Sequence, residues 1–294
     1  MERLVLMKLR YILPILLAAA FGSLHASTIH ELIDQGDSAA VAAMLDADPS
    51  LIDNRLPNGR SPLHSAAYGG KQNIVALLIG RGADVNAQTT AGATPLHGSA
   101  LAGFEGVVRL LVEKGANPNI ANQFGYTPLT NAASSGSIPS MKCLIDAGAS
   151  VNPKTATERV PLISAVQRGK TDCAEYLLRA GANPNAVSPE GESALLMAVF
   201  AVLWNLDESD RVPDLLQLLL TQGADANHAL PSGNTPLMTA ARTDDTTILR
   251  ILLDGGAKPD AVSSNGSTAF TDAVESGCLN SAKYLIRRNA HKLV

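Results

Sequence analysis

Cysteine, aromatic residues and excess charge are all scarce in this chain of 294 residues. Three cysteines are too few for a scaffold stapled by disulfides. The net charge is only −4 and no basic run occurs, which argues against a dedicated nucleic-acid binder. The sequence also lacks H-E-x-x-H, C-x-x-C, G-x-S-x-G and a phosphate-binding glycine loop. It therefore assigns no catalytic residue, no cofactor-binding residue and no metal ligand, and we expect no cofactor.

The N-terminal region carries an apolar run, YILPILLAAAFGSL at residues 11–24, which follows Arg3, Lys8 and Arg10. A basic start, a short apolar stretch and a small-residue exit are typical of a secretory signal peptide. The run is shorter than the roughly 20 apolar residues that a membrane helix needs. We expect residues 1–26 to be a signal peptide cut after Ala26, with Gly22 as a competing exit. An uncleaved anchor and a cytosolic chain are the alternatives.

One ten-residue motif recurs along the rest of the chain. Its best copy is TPLHGSALAG at Thr94. The other copies start at Ser61, Thr127, Val160, Ser193, Thr235 and Thr268. Successive starts lie 33 residues apart, except for a step of 42 between Ser193 and Thr235. A fixed period of this length indicates stacked repeats.

Each repeat predicts two short helices. Thr94 is a good N-cap, Pro95 suits the first helical position, and Gly103 ends the helix. A second helix with an apolar stripe follows and stops at Gly115-Ala116, before a turn that contains Asn119. Such a pair cannot bury its apolar stripe alone, so neighbouring copies are expected to stack.

These residues resemble ankyrin repeats. The family pattern T-P-L-H-x-A is met closely at residues 61–66 and 94–99, and G-A-D-V-N-A is met in full at residues 82–87. The resemblance implies an all-α fold, an ankyrin-repeat solenoid of stacked helix–turn–helix units with β-hairpin-like loops. It implies one ankyrin repeat domain at 27–294. Its parts are an N-terminal cap-like repeat at 27–60, repeats at 61–93, 94–126, 127–159, 160–192, 193–234 and 235–267, and a C-terminal cap repeat at 268–294.

The resemblance also implies where a partner binds: at the hairpin tips and the exposed ends of the first helices. The candidate partner-binding residues carried over in this way are Tyr68, Leu101, Phe124, Tyr126, Arg159, Gln167, Arg168, Glu192, Phe200 and Arg242. Between residues 27 and 294 the chain has nine aromatic residues, and four of them fall on such positions. Aromatic residues beside arginine are typical of interface anchors. The alternative is that these aromatic side chains pack on neighbouring hairpins.

We therefore expect a non-catalytic protein–protein interaction scaffold in the cell envelope, periplasmic or secreted, with a bacterial envelope as the most natural setting. Its partner is expected to be a protein and not a nucleic acid, and the chain itself a monomer that does not insert into a membrane once the signal is removed. The alternative is an accessory or inhibitor protein, similar to an immunity protein, whose client is an enzyme or toxin. An enzyme with an unrecognised site is the third hypothesis.

Three smaller expectations concern single residues. The resemblance implies that His64 and His97 are structural and bind neighbouring backbone. Cys143 and Cys173 are expected to be buried thiols, and Cys278 exposed. The insertion within 198–214 carries the only tryptophan, Trp204, and is either a second contact site or a solvated loop.

Overall fold

A computed structural model describes residues 25–203 and 211–290, with side chains from 29 to 203 and from 211 to 288. Sixteen α-helices and one 3-10 helix occur in this part of the chain, and no strand is found there. The described residues fall into two compact units. Unit 1 ends at Ala149 and unit 2 begins at Ser150.

Unit 1 contains four helix pairs. Its α-helices are α1 His25–Gln35, α2 Ser38–Ala47, α3 Pro62–Tyr68, α4 Gln72–Gly80, α5 Pro95–Ala102, α6 Glu105–Glu113, α7 Pro128–Ser135 and α8 Ile138–Asp146. The 3-10 helix Pro49–Asp53 follows the first pair.

Unit 2 contains four further pairs. They are α9 Pro161–Gln167, α10 Thr171–Arg179, α11 Ala194–Leu203, α12 Val212–Thr221, α13 Pro236–Ala241, α14 Thr246–Asp254, α15 Ala269–Glu275 and α16 Leu279–Ala290. The first helix of the fifth motif copy, α11, is thus longer than the first helices of the other motif copies. Trp204 and the rest of its insertion up to residue 210 lie outside the described residues.

The predicted helix signals are confirmed in the best copy. Thr94 is the N-cap of α5, Pro95 is its first residue, and Gly103 follows it with a left-handed φ of 75°. Within each unit, first helices pack on first helices and second helices on second helices. The leucine of the motif lies between them: Leu96 and Leu129 are completely buried. The apolar core therefore runs along the interfaces between successive repeats.

Hairpin-like loops join the pairs, as predicted. In the loop before α5, the Thr89 N–H donates to the Ala93 carbonyl at 2.9 Å, and the Gly92 N–H donates to the Thr89 carbonyl at 2.9 Å. Loops also bond to each other, since the Thr90 N–H donates to the Asn58 carbonyl at 3.1 Å. These bonds fix the tips without a regular sheet.

His64 and His97 are structural, as the resemblance implied. The His97 Nδ1 accepts a hydrogen bond from the Thr94 N–H at 3.0 Å, and its Nε2 lies 2.9 Å from the Tyr126 carbonyl of the next hairpin. His64 makes the same bonds to Ser61 and Ala93. Each imidazole therefore caps its own helix and holds the following repeat.

The thiols depart from expectation at two places, Cys143 and Cys278. Cys173 is buried as expected and Cys143 is half-buried. Cys278 is buried and not exposed, because its N–H donates to the Ala273 carbonyl at 2.8 Å and folds the turn back onto α15. All three are free cysteines.

No helix within the described ranges is both long enough and apolar enough to span a membrane.

Candidate protein-binding surface

The predicted contact residues of unit 1 lie on the hairpin tips and at the ends of first helices. Tyr68 and Leu101, at the ends of α3 and α5, are 52% and 48% exposed. Phe124, on the hairpin before α7, is 59% exposed, whereas Tyr126 on the same hairpin is half-buried. We call Tyr68, Leu101, Phe124 and Tyr126 the unit 1 tip surface.

Two neighbours lie against Tyr68, Arg60 and Gly98. The Arg60 guanidinium carbon lies 5.4 Å from the ring centroid, a cation–π distance. Gly98 comes so close to Tyr68 that an added Cβ would lie 3.3 Å from the Tyr68 Cβ. The glycine therefore leaves room for the tyrosine. These contacts restrict the side chain, and such restriction lowers the entropy cost of binding.

Carboxylates are absent from the segments that form these hairpins and first helices in unit 1. Residues 54–68, 88–104 and 121–136 contain no Asp or Glu, and Arg55 and Arg60 are their only Lys or Arg residues. Between Ser61 and Ala149 the acidic residues lie on the second helices and the turns after them, as Glu105 and Glu113 do. The unit 1 tip surface is thus apolar with a small positive charge.

The predicted contact residues of unit 2 are more polar. Gln167, Arg168 and Arg242 are exposed, while Arg159, Glu192 and Phe200 are half-buried. The Arg159 Nη1 lies 2.7 Å from the Glu190 Oε2 of the next hairpin. The Glu192 carboxylate accepts a hydrogen bond from the Ser188 hydroxyl at 3.3 Å. We call these six residues the unit 2 tip surface.

Other ionisable groups do not converge on a reactive centre in the parts of the chain described. No cluster of three or more His, Cys, Asp or Glu residues able to hold a metal occurs among these residues. A groove of about 310 Å³ lies between α12 and α14, and it is lined by Leu220, Arg250 and Asp254 among others. Asp254 is already ion-paired with Arg288. This groove brings together no nucleophile and base.

Burial keeps the structural imidazoles neutral. Burial lowers the pKa of His64 and of His97 to about 4. The hydrogen bonds of these imidazoles to the Ala93 and Tyr126 backbone oppose the shift but do not cancel it. A neutral imidazole can accept at Nδ1 and donate at Nε2 at once, which the two observed bonds require. These histidines hold the scaffold and are not a proton-transfer site.

Comparison with known proteins gives consistent matches. Human ankyrin repeat and KH domain-containing protein 1 is 39% identical over 80 residues, 26% of this chain and 3% of that protein. Human ankyrin repeat and SOCS box protein 6 is 41% identical over 71 residues, 22% of this chain and 17% of that protein. The serine/threonine-protein kinase VIK of Arabidopsis thaliana is 46% identical over 54 residues, 18% of this chain and 12% of the kinase. The chain therefore spans only a small part of the length of these relatives.

A solved structure matches over more of the chain. The crystal structure of the human ASB11 ankyrin repeat domain superposes with a TM-score of 0.66 at 30% identity, covering 78% of this chain and 98% of that one. A family model described as ankyrin repeats (3 copies) matches residues 15–122, 106–188 and 208–294. The matched ranges cover most of the sequence, including the repeated motif that forms the helix pairs. The chain therefore belongs to the ankyrin repeat family.

Proposed function

We propose that this chain is a non-catalytic scaffold that holds a protein partner through its tip surfaces. Ankyrin repeats are generally protein–protein interaction modules and typically have no catalytic role. The partner is a protein and not a nucleic acid, because the chain offers no run of basic residues for a phosphate backbone.

The observation that carries the proposal is the exposed apolar set in unit 1. Among the described side chains of unit 1, the exposed large apolar ones are Tyr68, Leu101, Phe104 and Phe124, and three of them belong to the unit 1 tip surface. The fourth, Phe104, packs so close to Gly70 that an added Cβ there would lie 2.8 Å from the ring. Exposed aromatic anchors on fixed backbone are typical of binding hot spots.

The test is partner capture with matched variants. Immobilised wild-type protein and the double variant Tyr68→Ser/Phe124→Ser are compared by quantitative mass spectrometry of crosslinked extract. Loss of two aromatic anchors should weaken capture about ten-fold or more, because central anchors each contribute roughly 2 kcal/mol. The control is Leu279→Ser, which removes an apolar side chain that is 65% exposed outside both tip surfaces.

Equal capture by the double variant and the control would contradict the proposal for unit 1. The variant Arg168→Glu/Arg242→Glu tests the unit 2 tip surface in the same assay, with thermal unfolding as the check on folding. A captured enzyme or toxin whose activity falls on binding would assign the inhibitor role.

We further propose that the protein is exported to the cell envelope, with residues 1–26 as its cleaved signal. The motif at residues 3–24 supports export. Helix α1 begins at His25, so a cut after Ala26 removes its first two residues, and a cut after Gly22 leaves it whole.

N-terminal sequencing of periplasmic or secreted protein should begin at residue 27 or 23. The variant Leu16→Arg should stay in the cytosol at full length. Uncut wild-type protein in the cytosol would contradict export.

A further inference from the structure

Two hairpins of the chain carry an arginine at the same position, directly before the start of the motif. These residues are Arg60 in unit 1 and Arg159 in unit 2. The Arg159 Nη1 lies 2.7 Å from the Glu190 Oε2 on the next hairpin of its unit. In unit 1, the residue at the position of Glu190 is Ala91. Arg60 therefore has the setting of Arg159 without the carboxylate that completes it.

The Arg60 guanidinium forms no ion pair with any carboxylate of the described residues, and its side chain is half-buried beside the Tyr68 ring. Arg55, the other cation of the unit 1 hairpins, is already engaged. Its Nη2 lies 3.0 Å from the Asp53 Oδ1, and its Nη1 donates to the Gln88 carbonyl at 2.8 Å. Arg60 is thus the cation of this surface whose N–H donors a partner can use.

Backbone hydrogen bonds between hairpins fix Arg60 relative to an exposed aromatic anchor. The hairpin that carries Arg60 bonds to the hairpin that carries Ala91, and there the Gln123 N–H donates to the Ala91 carbonyl at 3.0 Å. Phe124 follows directly on this third hairpin. A partner that reaches both Arg60 and Phe124 therefore passes over one intervening tip, where the side chain is only a methyl group.

We propose that the partner of the unit 1 tip surface presents an aspartate or glutamate to Arg60 and an apolar side chain to Phe124. The inference rests on the proposed function of this surface. The partner's carboxylate takes the place at Arg60 that Glu190 takes at Arg159. The hairpins and first helices of unit 1 contain no Asp or Glu, so no like charge on these segments opposes it.

A phosphorylated residue fits the same place less well. Phosphate groups on peptides are bound by clusters of arginines, because they carry nearly two negative charges. Arg60 stands alone in this role, since Arg55 is paired with Asp53. One guanidinium matches one carboxylate in charge and in planar geometry.

The variant Ala91→Glu tests the place of the carboxylate. It gives Arg60 the intramolecular partner that Glu190 is for Arg159, and it repels an incoming acid, so acidic ligands should bind about five-fold more weakly. The matched control is Ala91→Gln, which has nearly the same size without the charge and should bind almost as wild type. Equal weakening by the two variants would mean that bulk and not charge is responsible, and would overturn the inference.

The probe is a displayed library of random dodecapeptides, selected on the immobilised full chain. Peptides that use the unit 1 tip surface are identified by lost binding to the Tyr68→Ser/Phe124→Ser variant. We expect these peptides to be enriched in Asp or Glu near an apolar residue. Their affinity, measured by fluorescence anisotropy, should fall about ten-fold with Arg60→Gln and less with Arg60→Lys, which keeps the charge. Thermal unfolding checks that each variant folds.

The outcomes separate this inference from the proposed function. If selection yields no peptide that depends on Tyr68 and Phe124, the binding role of the unit 1 tip surface fails, and the inference fails with it. If it yields such peptides without enrichment in acidic residues, or with affinities that Arg60→Gln leaves unchanged, the binding role stands and the carboxylate at Arg60 is refuted.

Discussion

At the scale of single residues, Asp244 is the clearest departure from the repeat pattern. It stands where five of the other copies have the glycine that ends the first helix, and its φ of 56° is left-handed. Aspartate tolerates this conformation at some cost in energy. Hydrogen bonds of the Asp244 carboxylate explain why an aspartate stands there. Its Oδ1 accepts hydrogen bonds from the Asn280 and Ser281 N–H groups at 2.8 and 3.0 Å. Asp244 thus caps α16 from the preceding repeat.

Replacing Asp244 with glycine should loosen α16. Glycine removes the cost of the left-handed φ, but it also removes an anionic acceptor from the N-terminus of α16. The lost charge-assisted hydrogen bonds outweigh the relieved backbone strain by about 1 kcal/mol of stability. Hydrogen exchange of the first-turn amides of α16 should therefore quicken. The control Asp244→Asn keeps one acceptor oxygen and should lie between wild type and glycine. Slower exchange in the glycine variant would contradict a capping role.

At the scale of elements, helix starts and stops were predictable because a few residues dictate them. Thr-Pro starts and glycine stops act through local backbone geometry, which a sequence displays directly. The hairpin at Thr155–Arg159 shows a feature that the repeat pattern does not predict. Glu158 replaces the usual tip glycine, and its carboxylate instead accepts from the Lys154 N–H at 2.8 Å. This local bond depends on one side chain that the other copies lack, so the repeat pattern does not predict it.

The exposure of the candidate contact residues was only partly predictable. Tyr68 and Phe124 are exposed because they sit at a helix end and a hairpin tip. Tyr126 is half-buried because its carbonyl closes the hairpin, accepting from both Asn122 and His97. Phe200 is half-buried because α11 continues to Leu203, so the residue lies inside a helix and not at its end. Register along the motif predicts the place of a residue, whereas its burial depends on where each helix stops.

At the scale of the whole molecule, the two units differ in how acid should affect them. His30, His64 and His97 all belong to unit 1, and burial lowers the pKa of each. Unit 2 has Ile163, Leu196, Met238 and Thr271 at the motif position of these last two histidines. Thr271 bonds only within its own helix start, to Thr268. The contacts between repeats in unit 2 therefore do not depend on a neutral imidazole at this position.

Acidification should thus destabilise unit 1 more than unit 2. The pKa of His64 and His97 is about 4 when folded, below the ordinary value of 6.5, so the unfolded chain takes up protons first as the pH falls. Their stabilisation is complete above pH 6.5 and is lost between 6.5 and 4, by up to about 3 kcal/mol for each residue. Hydrogen exchange of the full chain at pH 7.5, 6, 5 and 4, corrected for intrinsic rates, measures the opening free energy of each unit.

The variant His64→Thr/His97→Thr isolates the cause, because threonine occupies this position in the repeat that starts at Thr127. There the Thr130 Oγ1 accepts from the Thr127 N–H at 2.7 Å and preserves the helix start. The variant should be less stable than wild type at pH 7.5, since the bonds to the next hairpins are lost, yet its stability should change little on acidification. If wild type and variant lost stability in parallel from pH 6.5 to 4, titration of these two imidazoles could not be the source of the acid sensitivity of unit 1.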